Sequence, residues 1–121
     1  MEKNRLELFR EKRKALNEKV LDLEHLGVKR FYSMDASAFR EGELNAPTKE
    51  LLGLVASTVL RCNDCIDYHL EEVAKAGWTK KQIVEALYIA MFVGGSIVIP
   101  HFRHAVETLD FLEEEGLFGK E

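Results

Sequence analysis

Residues 50–69 read ELLGLVASTVLRCNDCIDYH, and they carry the features on which the rest of the chain depends. The first half is apolar on almost every side, which predicts a helix buried in the domain or at a contact between subunits. The second half holds the only two cysteines, Cys62 and Cys65, spaced so that both sulfurs can meet in one disulfide. His69 follows Cys65 by four residues, one turn of a helix, where a base can act on the nearer thiol. This combination indicates reversible thiol chemistry.

The sequence on both sides of this stretch predicts helices and no convincing strand. Apolar residues recur at helical spacings over residues 3–25, and Gly27 is expected to end that helix. Gly77 ends a later helix, and Thr79 opens another with a capping box. Residues 96–99 form one β-like run, which is short. We therefore expect an all-α domain of about six helices, covering residues 3–25, 28–40, 47–60, 63–76, 79–93 and 100–115.

The composition is that of an ordinary globular protein. The 121 residues are 46% apolar and 31% charged, with a net charge of −4, and they predict a single domain over residues 1–121. Such mild acidity gives no electrostatic reason to expect nucleic acid or an anionic membrane as a partner. There is neither a signal-peptide pattern nor a run of 18 apolar residues, so we expect a cytoplasmic protein without a membrane span. In a reducing cytosol, a Cys-x-x-Cys pair is more often catalytic or metal-binding than structural.

Cys65 is the candidate nucleophile of the pair. The thiolate attacks peroxides and disulfides, but a free thiol is little ionised at neutral pH. We expect a helix that begins near Asn63, together with the base His69, to favour the Cys65 thiolate. Cys62 would then attack the sulfenic acid formed on Cys65 and close the disulfide.

Glu50 is the candidate partner of His69. Along one straight helix, Glu50 would lie roughly 18 Å from Cys62. It reaches the site only if the chain doubles back after Arg61 or if a neighbouring subunit supplies it. A reversal brings it to the level of His69, which it could then orient. The simpler alternative is a carboxylate that the helix dipole favours in the first turn.

Two alternatives to thiol catalysis fit the same residues. Both cysteines could be inert members of a helical core. The second alternative is a zinc site formed by Cys62, Cys65 and His69 with His101 or His104, although the ligand spacing of a zinc finger is absent. His101 and His104 are interpreted more simply as surface or cap histidines, and we expect no metal ion and no cofactor.

The pattern Glu50-x11-Cys62-x-x-Cys65-x3-His69 resembles the motif of the alkylhydroperoxidase D-like proteins. These proteins belong to the carboxymuconolactone decarboxylase superfamily, and the resemblance extends over about residues 44–112. It implies an all-α fold that assembles into trimers or hexamers through buried helices. It also implies reduction of hydroperoxides at the cysteine pair, with a lipoyl- or thioredoxin-type protein as the dithiol reductant.

The resemblance assigns a role to each matching residue. Cys65 matches the peroxide-attacking cysteine and Cys62 the resolving one, while His69 and Glu50 match the proton relay. The family's peroxidase has a further relay histidine just before the second cysteine, where this chain has Asp64. A carboxylate beside Cys65 tends to raise the pKa of the thiol, which would slow a peroxidase.

Two other functions stay open at this point. The superfamily's decarboxylases act on a lactone acid from aromatic catabolism without a cysteine pair, so the presence of both thiols argues against that chemistry. The other function is a non-enzymatic oligomer whose disulfide switches its assembly. Residues 51–60 and 97–99 are more apolar than so small a monomer readily buries, which predicts a homo-oligomer.

Overall fold

The computed structural model describes residues 2–118 and contains six α-helices, with no strand in that range. The predicted all-α class is confirmed. A short 3₁₀ turn, Ser96–Val98, separates the last two helices. The helices are α1 (Arg5–Asp22), α2 (Leu26–Ala38), α3 (Ala46–Val59), α4 (Asn63–Lys75), α5 (Lys80–Gly94) and α6 (Ile99–Glu114).

The core lies among α3, α4, α5 and α6, with the start of α1 added at one side. α3 packs against both α4 and α5, and α6 closes the bundle against α4. The stretch that carries the cysteines therefore lies at the centre of the fold. The largest fully buried apolar side chains are Leu6, Leu54, Ile66, Leu70, Val73, Ile83, Leu87, Val98, Leu109 and Leu112.

A short turn joins α3 to α4 and reverses the chain. Arg61 has a φ of 61°, a left-handed conformation that ends α3 abruptly. The N–H of Cys62 then donates to the carbonyl of Ser57 at 3.1 Å, which satisfies an acceptor at the end of α3. The chain thus doubles back after Arg61, one of the two arrangements that would bring Glu50 to the site, and the start of α3 lies beside α4.

The boundary between the first two helices differs from the prediction. α1 ends at Asp22, and Gly27 lies inside α2 instead of ending a helix. Glu24 takes the left-handed conformation of the turn, with a φ of 54°, so no glycine is needed there. His25 caps α2, since its Nδ1 accepts a hydrogen bond from the Val28 N–H at 3.2 Å. An imidazole here replaces the usual Ser, Thr, Asp or Asn cap, which is why the sequence pattern did not reveal this helix start.

The β-like run at residues 96–99 is not a strand. Gly95, with a φ of 84°, lets the chain leave α5, and its N–H donates to the carbonyl of Met91 at 2.7 Å. Val98 is buried against Gly94, where an added Cβ would overlap the valine side chain. Close packing at the glycine therefore favours a compact turn over an extended segment.

The α1–α2 hairpin (residues 5–38) is attached to the bundle mainly through the first half of α1. Leu6 is fully buried, and Arg10 forms two hydrogen bonds of 2.6 and 2.7 Å to Glu115 as well as an ion pair with Glu71. α2 has no buried residue, and large apolar side chains such as Phe31 and Met34 are mostly exposed. Among the helices described, none is both long enough and apolar enough to cross a membrane.

Candidate thiol redox site

Cys62 and Cys65 are joined by a disulfide at the start of α4, with their Cα atoms 5.2 Å apart. Cys62 is the N-cap of this helix, and its Sγ accepts a hydrogen bond from the Cys65 N–H at 3.3 Å. The hydrogen bond at the start of α4 is therefore made to the Cys62 sulfur, whereas we expected the helix start to favour the Cys65 thiolate. The reason is that Cys65 is the third residue of the helix, so its own N–H is a donor to the cap. Cys65 is the more exposed of the two cysteines.

His69 and Glu50 form a hydrogen-bonded pair between α4 and α3. The distance from His69 Nδ1 to Glu50 Oε2 is 3.0 Å, and the two side chains are only 12% and 14% exposed. Because a carboxylate can only accept, Nδ1 carries the proton and Nε2 is left as the basic nitrogen of the neutral ring. The structure thus brings Glu50 to His69 within one chain, as the reversal after Arg61 predicts.

Three neighbours fix the position of the His69 ring. Phe39 packs against it with ring centres 5.3 Å apart, and Tyr68 contacts it edge-on at 5.1 Å. On the α3 side, a Cβ added to Gly53 would lie 2.7 Å from Cε1 and 3.0 Å from Nε2. The imidazole therefore occupies the space that the missing side chain of Gly53 leaves.

A cleft of about 860 Å³ opens beside these residues. Glu50, Cys65 and His69 line one side of it, and the α1–α2 hairpin lines the other. Sequence reasoning missed the contribution of the hairpin. The helical spacing of the apolar residues in α1 predicts a helix but not a cleft, and Leu16 is exposed and lines this cleft.

Comparison with known sequences adds to this geometry. A sequence model described as the carboxymuconolactone decarboxylase family matches residues 28–108. The chain belongs to the carboxymuconolactone decarboxylase family. The matched part runs from α2 into α6 and includes both cysteines, His69 and Glu50.

Solved structures of another family member resemble most of this chain. One crystal structure of TM1620 from Thermotoga maritima is 55% identical, with a TM-score of 0.86, and the match covers 89% of this chain and 95% of that chain. A second structure of the same protein gives 52% identity and a TM-score of 0.82 over 90% of this chain and 95% of that chain. That protein is named a carboxymuconolactone decarboxylase family protein, and a part in the antioxidative response has been suggested for it.

Two curated proteins are similar over shorter stretches. "Uncharacterized protein 4 in cox locus" of Paracoccus denitrificans is 28% identical over 83 residues, 69% of this chain and 75% of that protein. The alkyl hydroperoxide reductase AhpD of Corynebacterium kroppenstedtii is 41% identical over 46 residues, 38% of this chain and 26% of that protein. Together with the family match, this local likeness confirms an AhpD-like member of the carboxymuconolactone decarboxylase family.

Asp64 is the position at which this family member departs from the peroxidase motif. It is the second residue of α4, and its exposed side chain lines the cleft next to Cys65. A carboxylate in the first turn is favoured by the helix dipole, which is a structural reason for an acid at this position.

The residues of the zinc alternative have other partners in the structure. The two sulfurs are bonded to each other, and His69 is bonded to Glu50. His101 is bonded through Nδ1 to the Asn63 side-chain oxygen at 2.8 Å, which attaches α6 to the start of α4. Over residues 2–118, no three His, Cys, Asp or Glu side chains come together in a way that could hold a metal ion.

A second polar cluster surrounds Asp67, which is 2% exposed. Arg5 donates to it at 2.8 Å, His104 lies 3.0 Å from it, and Thr108 donates at 2.5 Å. Burial alone would raise the pKa of Asp67, but the hydrogen bonds from His104 and Thr108 and the nearby charges of His104 and Arg5 outweigh it and hold the pKa below its ordinary value.

The Asp67 cluster corrects the interpretation of His104. This histidine is not a surface or cap residue, because it bonds a buried carboxylate between α4 and α6. Sequence reasoning missed the cluster, since Arg5 and Asp67 are 62 positions apart and no local motif joins them. The one available signal was an acid in the interior of an amphipathic helix, which is costly unless it is paired.

Proposed function

We propose that this protein is a thiol-dependent antioxidant peroxidase that reduces hydroperoxides through a Cys62–Cys65 disulfide cycle. The observation that supports it best is that a cysteine pair joined by a disulfide, a histidine bonded to a carboxylate and an open cleft lie in one place. The local likeness to an alkyl hydroperoxide reductase supports the same activity.

The first step forms a sulfenic acid on Cys65. His69 takes the thiol proton at Nε2, and the Cys65 thiolate attacks the terminal oxygen of the hydroperoxide. A sulfur–oxygen bond forms, the oxygen–oxygen bond breaks, and His69 returns the proton to the leaving alkoxide, which gives an alcohol. Glu50 stabilises the imidazolium between these events, because its carboxylate accepts the Nδ1 hydrogen.

The second step closes the disulfide. The Cys62 thiol attacks the sulfur of the sulfenic acid, and the hydroxyl group leaves with the Cys62 proton as water. The pair has then lost two electrons and two protons, and the hydroperoxide has become an alcohol and water. The disulfide in the structure corresponds to this oxidised state.

The third step needs a dithiol reductant, which we propose is a lipoyl- or thioredoxin-type protein of the cytoplasm. Its thiolate attacks the exposed sulfur of Cys65, and Cys62 leaves as a thiolate that the Cys65 N–H stabilises. The second thiol of the reductant then displaces Cys65 and becomes part of the reductant's own disulfide.

We also propose that the protein works as a homo-oligomer, a trimer or hexamer. An apolar face runs from α5 across the 3₁₀ turn, and a second copy is the occupant that would cover it. Large apolar side chains on this face are exposed, which is unusual for a stable monomer. They are Tyr88, Ile89, Phe92, Val93, Ile97 and Ile99.

Single-turnover oxidation tests the proposed activity. Reduced protein is mixed with cumene hydroperoxide, and the loss of both thiols is followed by rapid quenching and mass spectrometry. We expect one disulfide per chain, formed much faster than a free thiol of the same concentration is oxidised. Cys65→Ser should abolish the reaction, and Cys62→Ser should stop after one sulfenic acid per chain.

The cysteine variants also separate this proposal from its competitors. Oxidation of the wild-type thiols at the rate of a free thiol would exclude a peroxidase. Sustained turnover of Cys62→Ser without any added thiol would exclude the resolving role of Cys62. An oxidation that is slow but changes the size of the particle would favour a redox-switched oligomer.

A further inference from the structure

The cleft beside Cys65 is far larger than the hydroperoxide group itself requires. Its volume is about 860 Å³. Hydrogen peroxide is little larger than a water molecule, whose share of liquid volume is about 30 Å³. Protein clefts for whole organic ligands typically span ~300–1,000 Å³. The space therefore suits a hydroperoxide that carries a large organic group.

Apolar and aromatic side chains supply a large part of the cleft wall. Side chains from α1, α2 and α4 contribute, so the α1–α2 hairpin and the thiol side would both contact a bound molecule. Such a wall gains free energy by removing apolar surface of a ligand from water. The apolar and aromatic residues that line the cleft are Phe9, Leu16, Tyr32, Ala36, Phe39 and Tyr68.

The hairpin also brings cations into this apolar cleft. Lys12 and Arg13 of α1 and Arg40 just after α2 line it. Within residues 2–118, no carboxylate lies at ion-pair distance from any of the three. The guanidinium of Arg13 lies 4.3 Å from the centre of the Tyr68 ring, a cation–π contact that holds this charge against the cleft wall. These cations are therefore available to an anionic ligand.

The carboxylates of the cleft are distributed differently. Glu50 and Asp64 stand on α3 and α4, on the side of Cys65 and His69, and Glu50 is already bonded to His69. Asp35 of α2 also lines the cleft on the hairpin side, where Lys12 and Arg13 outnumber it and leave a net positive charge. An anionic group would be repelled from the side of Cys65 and attracted to Lys12 and Arg13 on α1. The arrangement of charge thus favours a ligand with its acid end at the hairpin and its reactive end at Cys65.

We infer that the substrate is the hydroperoxide of a large apolar carboxylic acid, held through its carboxylate by Lys12 and Arg13 and through its apolar body by the cleft. This inference rests on the proposed peroxidase function. The carboxylate takes no part in the chemistry. The oxygen–oxygen bond of the hydroperoxide accepts two electrons from the cysteine pair, and the products are the corresponding hydroxy acid and water.

A matched pair of substrates tests the inference. Linoleic acid hydroperoxide and its methyl ester share one apolar body and one reactive group, but only the acid is charged. At concentrations below those at which the two compounds form micelles, we expect the acid to oxidise the reduced protein about tenfold faster than the ester. The reason is that two partly exposed ion pairs together strengthen binding by roughly a factor of ten. Equal rate constants for acid and ester would overturn the inference.

Charge-neutralising variants locate the effect. Lys12→Gln with Arg13→Gln should bring the acid-to-ester ratio close to one. Lys14→Gln with Lys19→Gln is the matched control, because both lysines are exposed on α1 and neither lines the cleft. A ratio that falls equally in both double variants would mean that only the overall charge of α1 matters, which contradicts a specific site.

A binding measurement tests the acid site of the cleft independently of the peroxidase activity. Cumene hydroperoxide, a neutral compound, reports whether the thiols react with peroxides at all. If they do not, the proposed function fails, and the cleft is tested by calorimetry with the hydroxy acid of linoleic acid and its methyl ester. Tighter binding of the hydroxy acid, lost in the Lys12 and Arg13 variant, would support the acid site, and equal binding of both would overturn it.

Discussion

Gly53 gives the His69 ring the space that it occupies. A methyl group at this position would lie 2.7 Å from Cε1, well inside contact distance, and the backbone of α3 cannot readily move away because its neighbour Leu54 is fully buried. The imidazole would have to turn or shift, and its bond to Glu50 would lengthen. Gly53 is therefore a positioning residue for the proposed base.

Gly53→Ala is predicted to slow the oxidation of Cys65 by about tenfold, as expected when a general base is misplaced. The measurement is the pH dependence of thiol alkylation by iodoacetamide together with the peroxide rate constant. Gly27→Ala is the control, because it is the same change inside a helix and its nearest atoms belong to His25, outside the cleft. If both variants behave like wild type, Gly53 has no positioning role.

Glu50→Gln is predicted to weaken the base without changing its place. The amide keeps the shape of the side chain but is a neutral acceptor, so the imidazolium of His69 loses its stabilising charge. We expect the peroxide rate constant at neutral pH to fall by about tenfold or more. Stopped-flow kinetics from pH 5 to 9 would show it, with the exposed Glu85→Gln as the control. An unchanged pH profile would remove Glu50 from the mechanism.

At the scale of elements, the Asp67 cluster joins three helices. Asp67 lies on α4, Arg5 on α1, and His104 and Thr108 on α6. Arg5 also bonds Glu107 at 2.6 Å. Since α1 carries much of the cleft wall, the cluster holds the hairpin in place over the thiol site.

Asp67→Asn is predicted to destabilise the fold by about 3 kcal/mol at neutral pH, the typical cost of breaking a buried ion pair. Chemical denaturation followed by circular dichroism would measure it, with the exposed Asp110→Asn as the control.

The pH dependence of this effect has a defined sign. Because the pKa of Asp67 is lowered in the folded state, the carboxylate stabilises the fold above the ordinary pKa of about 3.9. That contribution is lost as the pH falls below 3.9 and through the lowered folded pKa. The stability difference between wild type and Asp67→Asn should therefore shrink below about pH 4. A constant difference down to pH 3 would contradict the assigned cause of the shift.

Helix types and most helix ends could be predicted from the sequence, because apolar spacing and glycines mark them locally. The start of α2 is the exception, since His25 caps it with a side chain that cap rules rarely include. The start of α4 at Asn63 matches the prediction, although its cap is Cys62. The Glu50–His69 pair could be predicted as well, given the reversal after Arg61. The Asp67 cluster and the cleft could not, because both depend on how α1 lies across residues far along the chain.

At the scale of the whole molecule, α5 and the 3₁₀ turn expose an apolar face that a stable monomer would be expected to bury. Phe92 is 72% exposed on this face. Phe92→Glu is predicted to break the proposed oligomer into smaller species, because a buried unpaired charge at an interface is costly. Light scattering coupled to size exclusion would measure the mass.

Leu23→Glu is the matched control for the oligomer. Leu23 is similarly exposed, at 71%, but it follows α1 and lies outside this face. Its mass should equal that of wild type. A monomeric wild-type protein would overturn the proposed assembly, and an unchanged mass for Phe92→Glu would show that the interface lies elsewhere.

The position of Cys62 at the start of α4 has a thermodynamic consequence for the whole domain. When reduction releases Cys62 as a thiolate, the neutral capping sulfur becomes a charged acceptor, which bonds the Cys65 N–H more strongly. By linkage, each ~1 kcal/mol gained by the cap on reduction raises the reduction potential of the pair by about 20 mV. Mutations that loosen the first turn of α4 should therefore make the disulfide harder to reduce, even where they touch neither sulfur.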